Sequence, residues 1–515
     1  MPLPRLVCFT EDEVKSIVLN QRPHYALLLG SLFCLLLSAA CGNPAETDRS
    51  IPATDIGSRL ELFVDESLIA SKRDVALRLH APREAEIALR FDAPWEGPGN
   101  HFVTVFQDGP LYRMYYRAVA GKDLPASGEG WLMSVAYAES NDGVHWTKPD
   151  LSLFEFEGSK QNNIIWKSPE PGFGGPASNF AAFKDTNPNA LPDELYKATG
   201  GITDGLFAFV SADGIHWEQK GTEPILTKQF GNRTIDNAFD SQNCIFWDSQ
   251  QEQYVGYLRS MKDGIRSIRR TTSPDFVHWS FPEWIDLGDA PLEHFYTAAI
   301  SPYFRAPHLY VGFPMRFLPD RNAALPEKYK DTLGIGASDS VFISSRDGVR
   351  WRRTFQESFV RPGLNPLNWT DRSNTVAWGL VPTGKEEMSV YILEHFRLPT
   401  VRVRRGVLRT DGFVSVHAGY QDGEFVTQPL VFRGDRLVIN YSTSAAGSIR
   451  VEIQDATGNP IPDFRLQDSS ELFGDAIEQT VAWKQDSAVG ALAGRPIRLR
   501  FEMKDADLYS IRFKQ

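Results

Sequence analysis

Short apolar runs separated by turn residues make up most of the chain between residues 101 and 408. They are rich in Val, Ile, Phe and Tyr, are bounded by Gly, Pro and Asp, and show no sustained helical periodicity. The pattern predicts β-strands in five successive groups. The predicted strands are His101–Asp108, Leu111–Arg117 and Leu132–Ser140, with a fourth from Trp146; Asn179–Lys184, Tyr196–Gly200 and Leu206–Ser211; Gln242–Trp247, Gln253–Arg259 and Arg266–Thr272; Tyr296–Phe304, Leu309–Arg316 and Ser340–Ser345; and Thr375–Val381, Ser389–Phe396 and Val401–Leu408.

The pattern changes after about Ala418, where apolar and polar residues alternate more strictly. The segments Ile449–Ile453 and Ile497–Phe501 show this alternation most clearly. A period of two residues is typical of strands with one buried face. We therefore predict a second all-β unit at the end of the chain, most simply a β-sandwich.

One seven-residue stretch, Ser140–Trp146, comes back in each predicted group. Ser211–Trp217, Ser273–Trp279 and Ser345–Trp351 repeat its Ser, Asp and Trp, and the degenerate Arg409–Ser415 keeps only the Asp-Gly core. The aspartates are 62 to 72 residues apart, which suits a four-stranded propeller blade with generous loops. The fold class predicted from the repeat is all-β, with a five-bladed β-propeller followed by the sandwich.

The residue types in the repeat fit a tight hairpin turn. Glycine tolerates a positive φ angle, aspartate caps the amides of the turn, and the serine hydroxyl bonds locally across it. We expect the tryptophan to begin the next strand and to bury its ring between neighbouring blades.

The N-terminal region has the features of an export signal. Ala26–Ala40 is an apolar run of fifteen residues, which is short for a membrane span and suitable for a signal peptide. Cys41 follows Ser38-Ala39-Ala40, which resembles the lipobox of bacterial lipoproteins. We predict a lipoprotein signal peptide with its lipidated Cys41 at 1–41, a linker at 42–59, the propeller at 60–417 and the sandwich at 418–515. The protein is then lipid-anchored in the cell envelope, or secreted if Cys41 is not lipidated.

Composition and charge narrow the class of partner. The 515 residues include 42% hydrophobic and 23% charged residues, which is ordinary for a soluble globular protein. The net charge of −11 argues against a nucleic-acid partner, and we expect contact with a membrane through the lipid anchor only. Outside the targeting region the one cysteine is Cys244, so no internal disulfide is expected, and its apolar strand favours packing over reactivity.

The strand order predicts which residues meet at the binding end. We call the first three strands of each predicted group A, B and C. If the repeated turns mark one end of the propeller, then strands A and C begin, and strand B ends, at the opposite mouth, where ligands bind. Carboxylates, aromatic rings and histidines that converge there suit carbohydrate chemistry, because rings stack on sugars and two carboxylates share acid and base roles. The predicted catalytic residues are Asp92, Asp240 and Glu293. The predicted substrate-binding residues are Trp95, Glu96, His101, Arg117, Asn179, Gln242, Asn243, Arg259, His294, Tyr296, Arg316, Arg372, Glu394 and His395.

Each catalytic candidate has a predicted role and a structural alternative. Glu293, beside apolar strand residues, is expected to be the general acid, with its proton tuned by Asp240. Asp92 is expected to be the base or nucleophile, with Glu96 as its substitute. Alternatively, Asp240, Asp92 and Glu96 are turn formers, and His294 and His395 are packed histidines.

Several arginines lie at the ends of predicted B strands. Arg117, Arg259 and Arg316 have this position, and Arg397 lies just beyond the end of the fifth. Guanidinium groups at the mouth would bind a carboxylate or sulfate of an anionic glycan. Pairing with aspartates between blades is the alternative.

Motifs for other chemistry are missing from the sequence. It contains no HExxH, no CxxC and no glycine-rich phosphate loop, so neither a catalytic zinc nor a nucleotide is supported. No cofactor or metal site is predicted, although the sequence leaves a structural calcium ion in the channel open.

The layout resembles the five-bladed propeller glycoside hydrolases of the invertase and levansucrase type and of the arabinanase and xylosidase type. It is also similar to a group of bacterial secreted glycosidase-like proteins that share the phrases FDAPWEG, FDSQN, EHFYTAAISPYFRAPH and LRTDGFVSVHA. The resemblance implies a carbohydrate substrate and a catalytic Asp on blade one, an Asp on blade two and a Glu further on. The chain departs from that pattern, because Asn100-His101 and Asn179 stand where the two aspartates are expected.

Two classes of function are left open by the sequence. The first is a glycoside hydrolase, or a related phosphorylase or transglycosidase, acting on a poly- or oligosaccharide at the cell surface. The second is a non-catalytic carbohydrate-binding lipoprotein. A hydrolase requires at least two indispensable carboxylates at the mouth, whereas a binding protein would keep its ligand without them.

The lipobox generates a testable prediction. We expect the Cys41→Ala substitution to release the protein from membranes or to leave it unprocessed, because the thiol is the site of lipid attachment. Fractionation of cells and labelling with a fatty-acid analogue measure this. Unchanged partitioning into the membrane fraction would contradict the prediction.

Overall fold

The computed structural model describes residues 53–121, 131–168, 175, 178–202, 205–321, 336–484 and 486–515. In these ranges the regular structure consists of β-strands and short 3-10 turns, so the predicted all-β class is confirmed. The predicted signal peptide, Cys41 and most of the linker lie outside the described residues. No helix in the described ranges is long and apolar enough to span a membrane. The 3-10 turns are Glu66–Leu68, Pro192–Glu194, Pro366–Asn368, Leu466–Asp468 and Gly490–Leu492.

The chain begins with five strands that pair with residues far along the sequence. Four of them join strands from the C-terminal part of the chain, and the fifth joins strands near residue 400. Residues 61–79, which the sequence analysis assigned to the propeller, therefore belong to a C-terminal sheet. The five strands are β1 (Thr54–Gly57), β2 (Glu61–Leu62), β3 (Ile69–Arg73), β4 (Val75–Leu79) and β5 (Arg83–Arg90).

Three four-stranded antiparallel sheets follow in chain order, with a short hairpin between the second and the third. Sheet 1 contains β6 (His101–Asp108), β7 (Leu111–Ala120), β8 (Leu132–Ser140) and β9 (Ile164–Lys167). Sheet 2 contains β10 (Ala181–Lys184), β11 (Tyr196–Gly200), β12 (Phe207–Ser211) and β13 (Glu218–Gln219). The hairpin is β14 (Gln229–Phe230) and β15 (Arg233–Thr234). Sheet 3 contains β16 (Cys244–Asp248), β17 (Gln253–Lys262), β18 (Ile265–Ser273) and β19 (Glu283–Trp284).

The fourth predicted group is divided between two sheets. The main one, sheet 4, has the order β21-β22-β25-β26, and a smaller sheet has the order β20-β23-β24. Pro314 lies between β22 and β23, and because proline has no N–H to donate, it ends the ladder of the first strand. The strands are β20 (His294–Phe295), β21 (Ile300–Tyr303), β22 (Ala306–Gly312), β23 (Met315–Leu318), β24 (Ala337–Ser340), β25 (Ile343–Ser345) and β26 (Trp351–Arg352).

Sheet 5 is completed by a strand that comes from the beginning of the chain. It contains β27 (Thr375–Val376), β28 (Val381–Pro382), β29 (Glu387–Glu394) and β30 (Arg402–Arg409), and β5 pairs antiparallel with β30 at its outer edge. In this pairing Arg402 lies opposite Arg90, and the pattern of the sequence does not predict it.

Tyrosine hydroxyl groups connect neighbouring sheets through a repeated contact. Three tyrosines, each in the second strand of its sheet, donate to an aspartate at or just after the end of the first strand of the preceding sheet. The pairs are Tyr196 Oη with Asp108 Oδ2 (2.6 Å), Tyr254 Oη with Asp185 Oδ2 (2.6 Å), and Tyr310 Oη with Asp248. These bonds join sheets 1 to 2, 2 to 3 and 3 to 4.

Two further hydrogen bonds complete a cyclic order of contacts. Trp378 Nε1 donates to the Ile300 carbonyl at 2.9 Å and joins sheet 5 to sheet 4. Tyr112 Oη donates to the Pro382 carbonyl at 2.7 Å and joins sheet 1 to sheet 5. Buried apolar clusters also lie between neighbouring sheets, so each sheet packs against two others.

The repeated turns have the geometry that their residues predict. In the copy at Ser211–Trp217, Ser211 Oγ accepts the Gly214 N–H, and Asp213 Oδ1 accepts the N–H groups of Ile215 and His216 at 2.8 and 2.9 Å. Gly214 has a φ of 79°, a conformation that glycine adopts readily. Trp217 packs against Tyr115 of sheet 1, so the tryptophan ring is buried between neighbouring sheets, as expected.

The fifth, degenerate copy has a different role. Asp411 is buried and accepts hydrogen bonds from Tyr303 Oη at 2.6 Å and from Ser510 Oγ at 3.1 Å. The chain then leaves sheet 5 and enters the C-terminal sheet through the strand β31 (Val414–Ala418). Because β5 fills the outer position of sheet 5, this copy does not need the tryptophan that begins the outer strand elsewhere.

The C-terminal sheet has ten strands and combines β1–β4 with six strands from the end of the chain. Two of these are unusually long and pair along most of their length, from Arg436 opposite Lys514 to Asp455 opposite Ile497. From Ile497 to Lys504 buried and half-buried residues alternate, as the sequence predicts, whereas every residue is buried from Leu437 to Tyr441 and from Val451 to Gln454. The six strands are β31 (Val414–Ala418), β32 (Gly423–Thr427), β33 (Leu430–Phe432), β34 (Arg436–Asp455), β35 (Asp475–Thr480) and β36 (Ile497–Lys514).

The tyrosine contacts generate a prediction about stability. We expect Tyr254→Phe to lower the free energy of unfolding by about 1.5–3 kcal/mol, because the buried Asp185 carboxylate loses a donor. The matched control, Tyr112→Phe, removes a bond to a neutral carbonyl and should cost about 0.5–1.5 kcal/mol. Urea denaturation measures both. A larger loss for Tyr112→Phe than for Tyr254→Phe would contradict the prediction.

Candidate functional site

A cavity of about 480 Å³ lies at the end of the sheets opposite the repeated turns, beside the first residues of β6. Cationic side chains from four different sheets or loops line it, together with aromatic rings. We call it the arginine pocket. Its cations are Arg117, Lys228, Arg259, Arg266, Arg372 and Arg397, and its aromatic residues are Phe102, Trp131, Tyr296 and Phe396.

Tyr296 lies among three of the guanidinium groups. The centre of its ring is 5.1 Å from the guanidinium carbon of Arg372, 5.4 Å from that of Arg266 and 5.7 Å from that of Arg259. Cations are attracted to the face of an aromatic ring, so this arrangement offsets part of the repulsion between the three arginines.

Two arginines are held by backbone and side-chain acceptors. Arg117 Nη2 donates to the Gly99 carbonyl at 2.9 Å, and Arg259 donates to the Asn237 carbonyl at 2.7 Å and to Asp240 Oδ2 at 3.0 Å. Both arginines are almost completely buried. Their positions are therefore fixed before any ligand arrives.

Arg372 and Arg397 share one buried carboxylate. Arg372 Nη1 and Arg397 Nε each lie 3.5 Å from Asp371 Oδ2. Within the described residues, Nε of Arg372 and Nη1 of Arg397 are buried without a hydrogen-bond partner. Buried donors of this kind are costly unless they are satisfied, which makes them available to an anion in the pocket.

The electrostatics of the pocket reflect an excess of positive charge. Burial, and then repulsion from Arg372 and Arg397, lowers the pKa of Arg117 to about 10. Burial and the neighbouring arginines also lower the pKa of Arg266 and that of Arg397. All three remain cations at neutral pH. Asp240 is the one carboxylate among the described residues that line the cavity.

His101 is neutral under the same influences. Burial, followed by the charge of Arg117, lowers the pKa of its imidazole well below the usual value. The ring donates from Nε2 to the Arg372 carbonyl at 3.3 Å and packs against Phe102 and Phe396. It therefore shapes the wall of the pocket without adding charge.

The backbone at the pocket adopts conformations that residues other than glycine rarely take. Phe102, Asn237, Arg372 and Arg397 have φ angles of 53°, 44°, 61° and 66°. Such residues are sparse in proteins and concentrate at functional sites, where the surrounding structure holds them in place. Their occurrence in the wall of one cavity marks it as the candidate site.

The structure brings six of the predicted site residues together in this cavity: His101, Arg117, Asp240, Arg259, Tyr296 and Arg372. Two others support it from behind. Asn179 Oδ1 accepts from Arg117 Nη1 at 3.4 Å, and His294 Nδ1 accepts from the backbone N–H of Arg266 at 3.2 Å.

The predicted residues of the loop before β6 do not line the pocket. The Asp92 side chain is 71% exposed and lies 3.1 Å from Lys148 Nζ. Glu96 is buried and accepts from Tyr116 Oη and from Lys148 Nζ, both at 2.6 Å. Trp95 Nε1 donates to Asn163 Oδ1 at 2.7 Å. These contacts hold the loop against sheet 1.

Glu293, the predicted general acid, is bound by arginines outside the pocket. Its carboxylate forms ion pairs with Arg353 and, at 3.3 Å, with Arg316. Arg316 also binds Asp339 through two hydrogen bonds, so it forms the predicted alternative, an ion pair with an aspartate. The apolar setting expected for Glu293 is not found, because Arg353 is buried beside it.

The remaining predicted residues have structural partners. Gln242 Nε2 donates to Thr104 Oγ1, and Asn243 Nδ2 donates to the Phe239 and Ser241 carbonyls. Glu394 binds Arg402 and Arg404, each at 2.6 Å. His395 accepts from Asn365 Nδ2 at 2.8 Å and bonds to Thr400 through Nδ1.

Several residues of the pocket are not among the predicted site residues. Arg266 lies at the start of β18, the third strand of its sheet, and could have been predicted, because third strands are expected to begin at the mouth. Phe102, Trp131 and Phe396 are apolar residues that sequence alone does not distinguish from the core. Among the described residues no group of three or more His, Cys, Asp or Glu side chains could hold a metal ion.

Comparisons with known proteins give matches to solved structures alone. A structure described as a glycoside hydrolase matches at 13% identity over 64% of this chain and 92% of that one, with a TM-score of 0.44. An exo-inulinase from Aspergillus awamori matches at 10% identity over 85% and 99% of the two chains, with a TM-score of 0.39. A structure from the GH130 family of mannoside phosphorylases matches at 14% identity over 65% and 94%, with a TM-score of 0.34.

No family model and no curated protein sequence matches the chain. The solved structures that it matches include glycoside hydrolases, and this is the resemblance that the sequence predicted. At these identities and TM-scores the likeness carries neither an activity nor the role of any residue over to this chain.

The pocket generates a prediction about anion binding. We expect sulfate to raise the melting temperature more than sodium chloride of equal ionic strength, because an anion that binds the native state stabilises it. This specific part should be lost in Arg372→Gln and in Arg397→Gln. Arg269→Gln is the matched control, since Arg269 shares β18 with Arg266 but stacks on Trp284 outside the cavity. An equal response of all four proteins would contradict the prediction.

Proposed function

We propose that the five sheets are the blades of a five-bladed β-propeller and that the ten-stranded C-terminal sheet folds into a sandwich. The cyclic hydrogen bonds between the sheets support the first part. The long strands β34 and β36, which run through the whole C-terminal sheet, support the second. In this arrangement the arginine pocket lies over the central channel, the position where propellers bind ligands.

We further propose that the protein is glycan-active and cleaves a glycosidic bond of a glycan that carries an anionic sugar. One observation carries this proposal: six cations and four aromatic rings line a cavity that contains one described carboxylate. Guanidinium groups bind carboxylates and sulfates in a directed way, and aromatic faces pack against the C–H surfaces of sugar rings. An anionic sugar satisfies both features together.

Asp240 is the proton-transfer group in this proposal. Its side chain is 49% exposed and its Oδ2 is held by Arg259, so it faces the cavity in a fixed position. In hydrolysis, water attacks the anomeric carbon and gives up a proton to the Asp240 carboxylate, the bond to the leaving oxygen breaks, and that oxygen takes up a proton from solvent. Asp92 and Glu293 are given no role, because both carboxylates are engaged by cations outside the cavity.

Phosphorolysis is a second candidate, and the number of carboxylates favours it. Hydrolases need two carboxyl groups on either side of the scissile bond, whereas the described lining provides one. If hydrogen phosphate bound to the arginines attacks the anomeric carbon, the leaving oxygen takes up the proton of that phosphate, which the Asp240 carboxylate can relay. The products are then a sugar 1-phosphate and the shortened glycan.

Lipid attachment at Cys41 would place this activity in the cell envelope. The proposal rests on the lipobox-like sequence. A glycan at the cell surface would then be the accessible substrate.

The proposal is tested by product analysis. Purified protein is incubated with oligosaccharides that carry uronate or sulfate groups and with their neutral counterparts, with and without phosphate, and the products are identified by mass spectrometry. Free reducing sugars indicate hydrolysis, and sugar phosphates indicate phosphorolysis. Binding without cleavage would favour the carbohydrate-binding protein, and neither binding nor cleavage would overturn the proposal.

A substitution of Asp240 tests its role. We expect Asp240→Asn to lower turnover by about two to four decades while the substrate still binds, because the amide cannot transfer the proton. Asp289→Asn, at an exposed aspartate away from the cavity, is the control and should leave turnover unchanged. Near-wild-type turnover of Asp240→Asn would show that another group performs the step.

A further inference from the structure

A second cavity, of about 550 Å³, lies beside the small sheet formed by β20, β23 and β24. Arg316 and Leu318 of β23 line it, together with Ser338, Asp339, Arg361 and Trp369. We call it the Trp369 cavity. Of the residues that the structure describes, none lines both this cavity and the arginine pocket.

Trp369 has the position of a ligand-binding aromatic residue. Its side chain is 42% exposed, although it is one of the largest apolar groups of the chain. Nε1 donates to the Gly363 carbonyl at 3.1 Å, which restrains the plane of the indole. Just before it, Asn365 Oδ1 accepts the Leu367 N–H at 3.1 Å and fixes the 3-10 turn that carries the tryptophan. The ring is therefore presented to the cavity in one orientation.

The charges in this cavity are arranged differently from those of the arginine pocket. Arg316 is neutralised, because Asp339 accepts from its Nε at 2.9 Å and from its Nη2 at 2.6 Å. The other arginines, Arg321 and Arg361, are exposed to solvent at the rim. The Asp339 carboxylate still has lone pairs that can accept from hydroxyl groups.

The two cavities lie on either side of one strand. Side chains alternate between the faces of a strand, and in β23 Arg316 and Leu318 line the Trp369 cavity. Met315 and Phe317 point to the other face. Met315 packs there with Phe102 and Tyr296, and the centre of the Phe317 ring lies 5.2 Å from the guanidinium carbon of Arg266. Phe102, Tyr296 and Arg266 belong to the arginine pocket.

A short piece of chain also connects the cavities. Trp369 lines one and Arg372 lines the other. Three peptide units separate their α-carbons, which are therefore at most about 11 Å apart. Because β23 lies between the cavities, a glycan that occupied both would pass over this segment.

We propose that the Trp369 cavity is a second carbohydrate subsite, which takes a neutral sugar of the same glycan whose anionic sugar binds in the arginine pocket. The inference rests on the proposed function of that pocket. The exposed indole stacks on the C–H face of the sugar. Asp339, Ser338 and Ser358 accept hydrogen bonds from the hydroxyl groups of the sugar. The protein then selects a glycan by the order of its charges, with an anionic sugar followed by a neutral one.

Calorimetric titration tests the proposal with a graded series of probes. The series consists of glucuronic acid and galacturonic acid, each free and linked to one, two or three neutral hexoses. We expect wild-type protein to bind the extended probes more tightly than the free acids. Trp369→Ala should weaken the extended probes by about two- to twelve-fold, which corresponds to the loss of one aromatic contact, and should leave the free acids unchanged.

Two control variants separate the possible failures. Tyr420→Ala removes another exposed aromatic residue, on the C-terminal side of the chain, and should bind every probe like wild type. Arg372→Gln should weaken the free acids and the extended probes alike, because it acts in the arginine pocket. Trp369→Phe should keep part of the gain that the neutral sugars provide.

The outcomes distinguish this inference from the proposed function. If wild type binds none of the probes, the proposed function fails and the subsite fails with it. If wild type binds the free acids but gains nothing from the neutral sugars, the subsite alone is overturned. The same conclusion follows if Trp369→Ala binds all probes like wild type, or if it weakens free and extended probes equally.

Discussion

The hydrogen bond from a tyrosine hydroxyl to a buried aspartate is the interaction on which the arrangement of the sheets depends. Each aspartate lies at or just after the end of the first strand of its sheet, and the tyrosine comes from the neighbouring sheet. Burial of the Asp185 and Asp248 carboxylates is expensive unless donors satisfy them, and the next sheet supplies the donor. Neighbouring sheets are therefore held in one register at the end opposite the arginine pocket.

A rigid frame holds the cations of the pocket close together. Five arginines close to one another repel, and several of their donors are buried without partners among the described residues. The pocket also contains four residues with positive φ angles. Such a site lowers the stability of the protein locally, and the packing between sheets and the bonds of Arg117 and Arg259 to carbonyl groups offset that loss. An anion that enters then meets donors already in place.

The parts of the fold that depend on local interactions could be predicted from the sequence. The turn at Ser211–Trp217 is stabilised by atoms at most three residues apart, so its residue types determine its geometry. The strand ends predicted that Arg117 and Arg259 lie at the same end of the molecule, because strand order determines which end a residue occupies, and both line the arginine pocket. The directions of Asp92 and Glu293 could not be predicted, because they depend on Lys148 and Arg353, which only the fold brings to them. The pairing of β5 with β30 is non-local in the same way.

The use of the earliest strands to complete the last sheets has a consequence for the order in which the protein is made. Synthesis proceeds from the N-terminus, so β1–β5 leave the ribosome more than three hundred residues before β30 and β36 exist. Until then their edges are unpaired and open to association with other chains. Sheet 5 cannot be completed before β30 leaves the ribosome, and the C-terminal sheet cannot be completed before the eighteen-residue strand β36 does. Both sheets are therefore completed late in synthesis, and folding should be slow because so many of their contacts are distant in sequence.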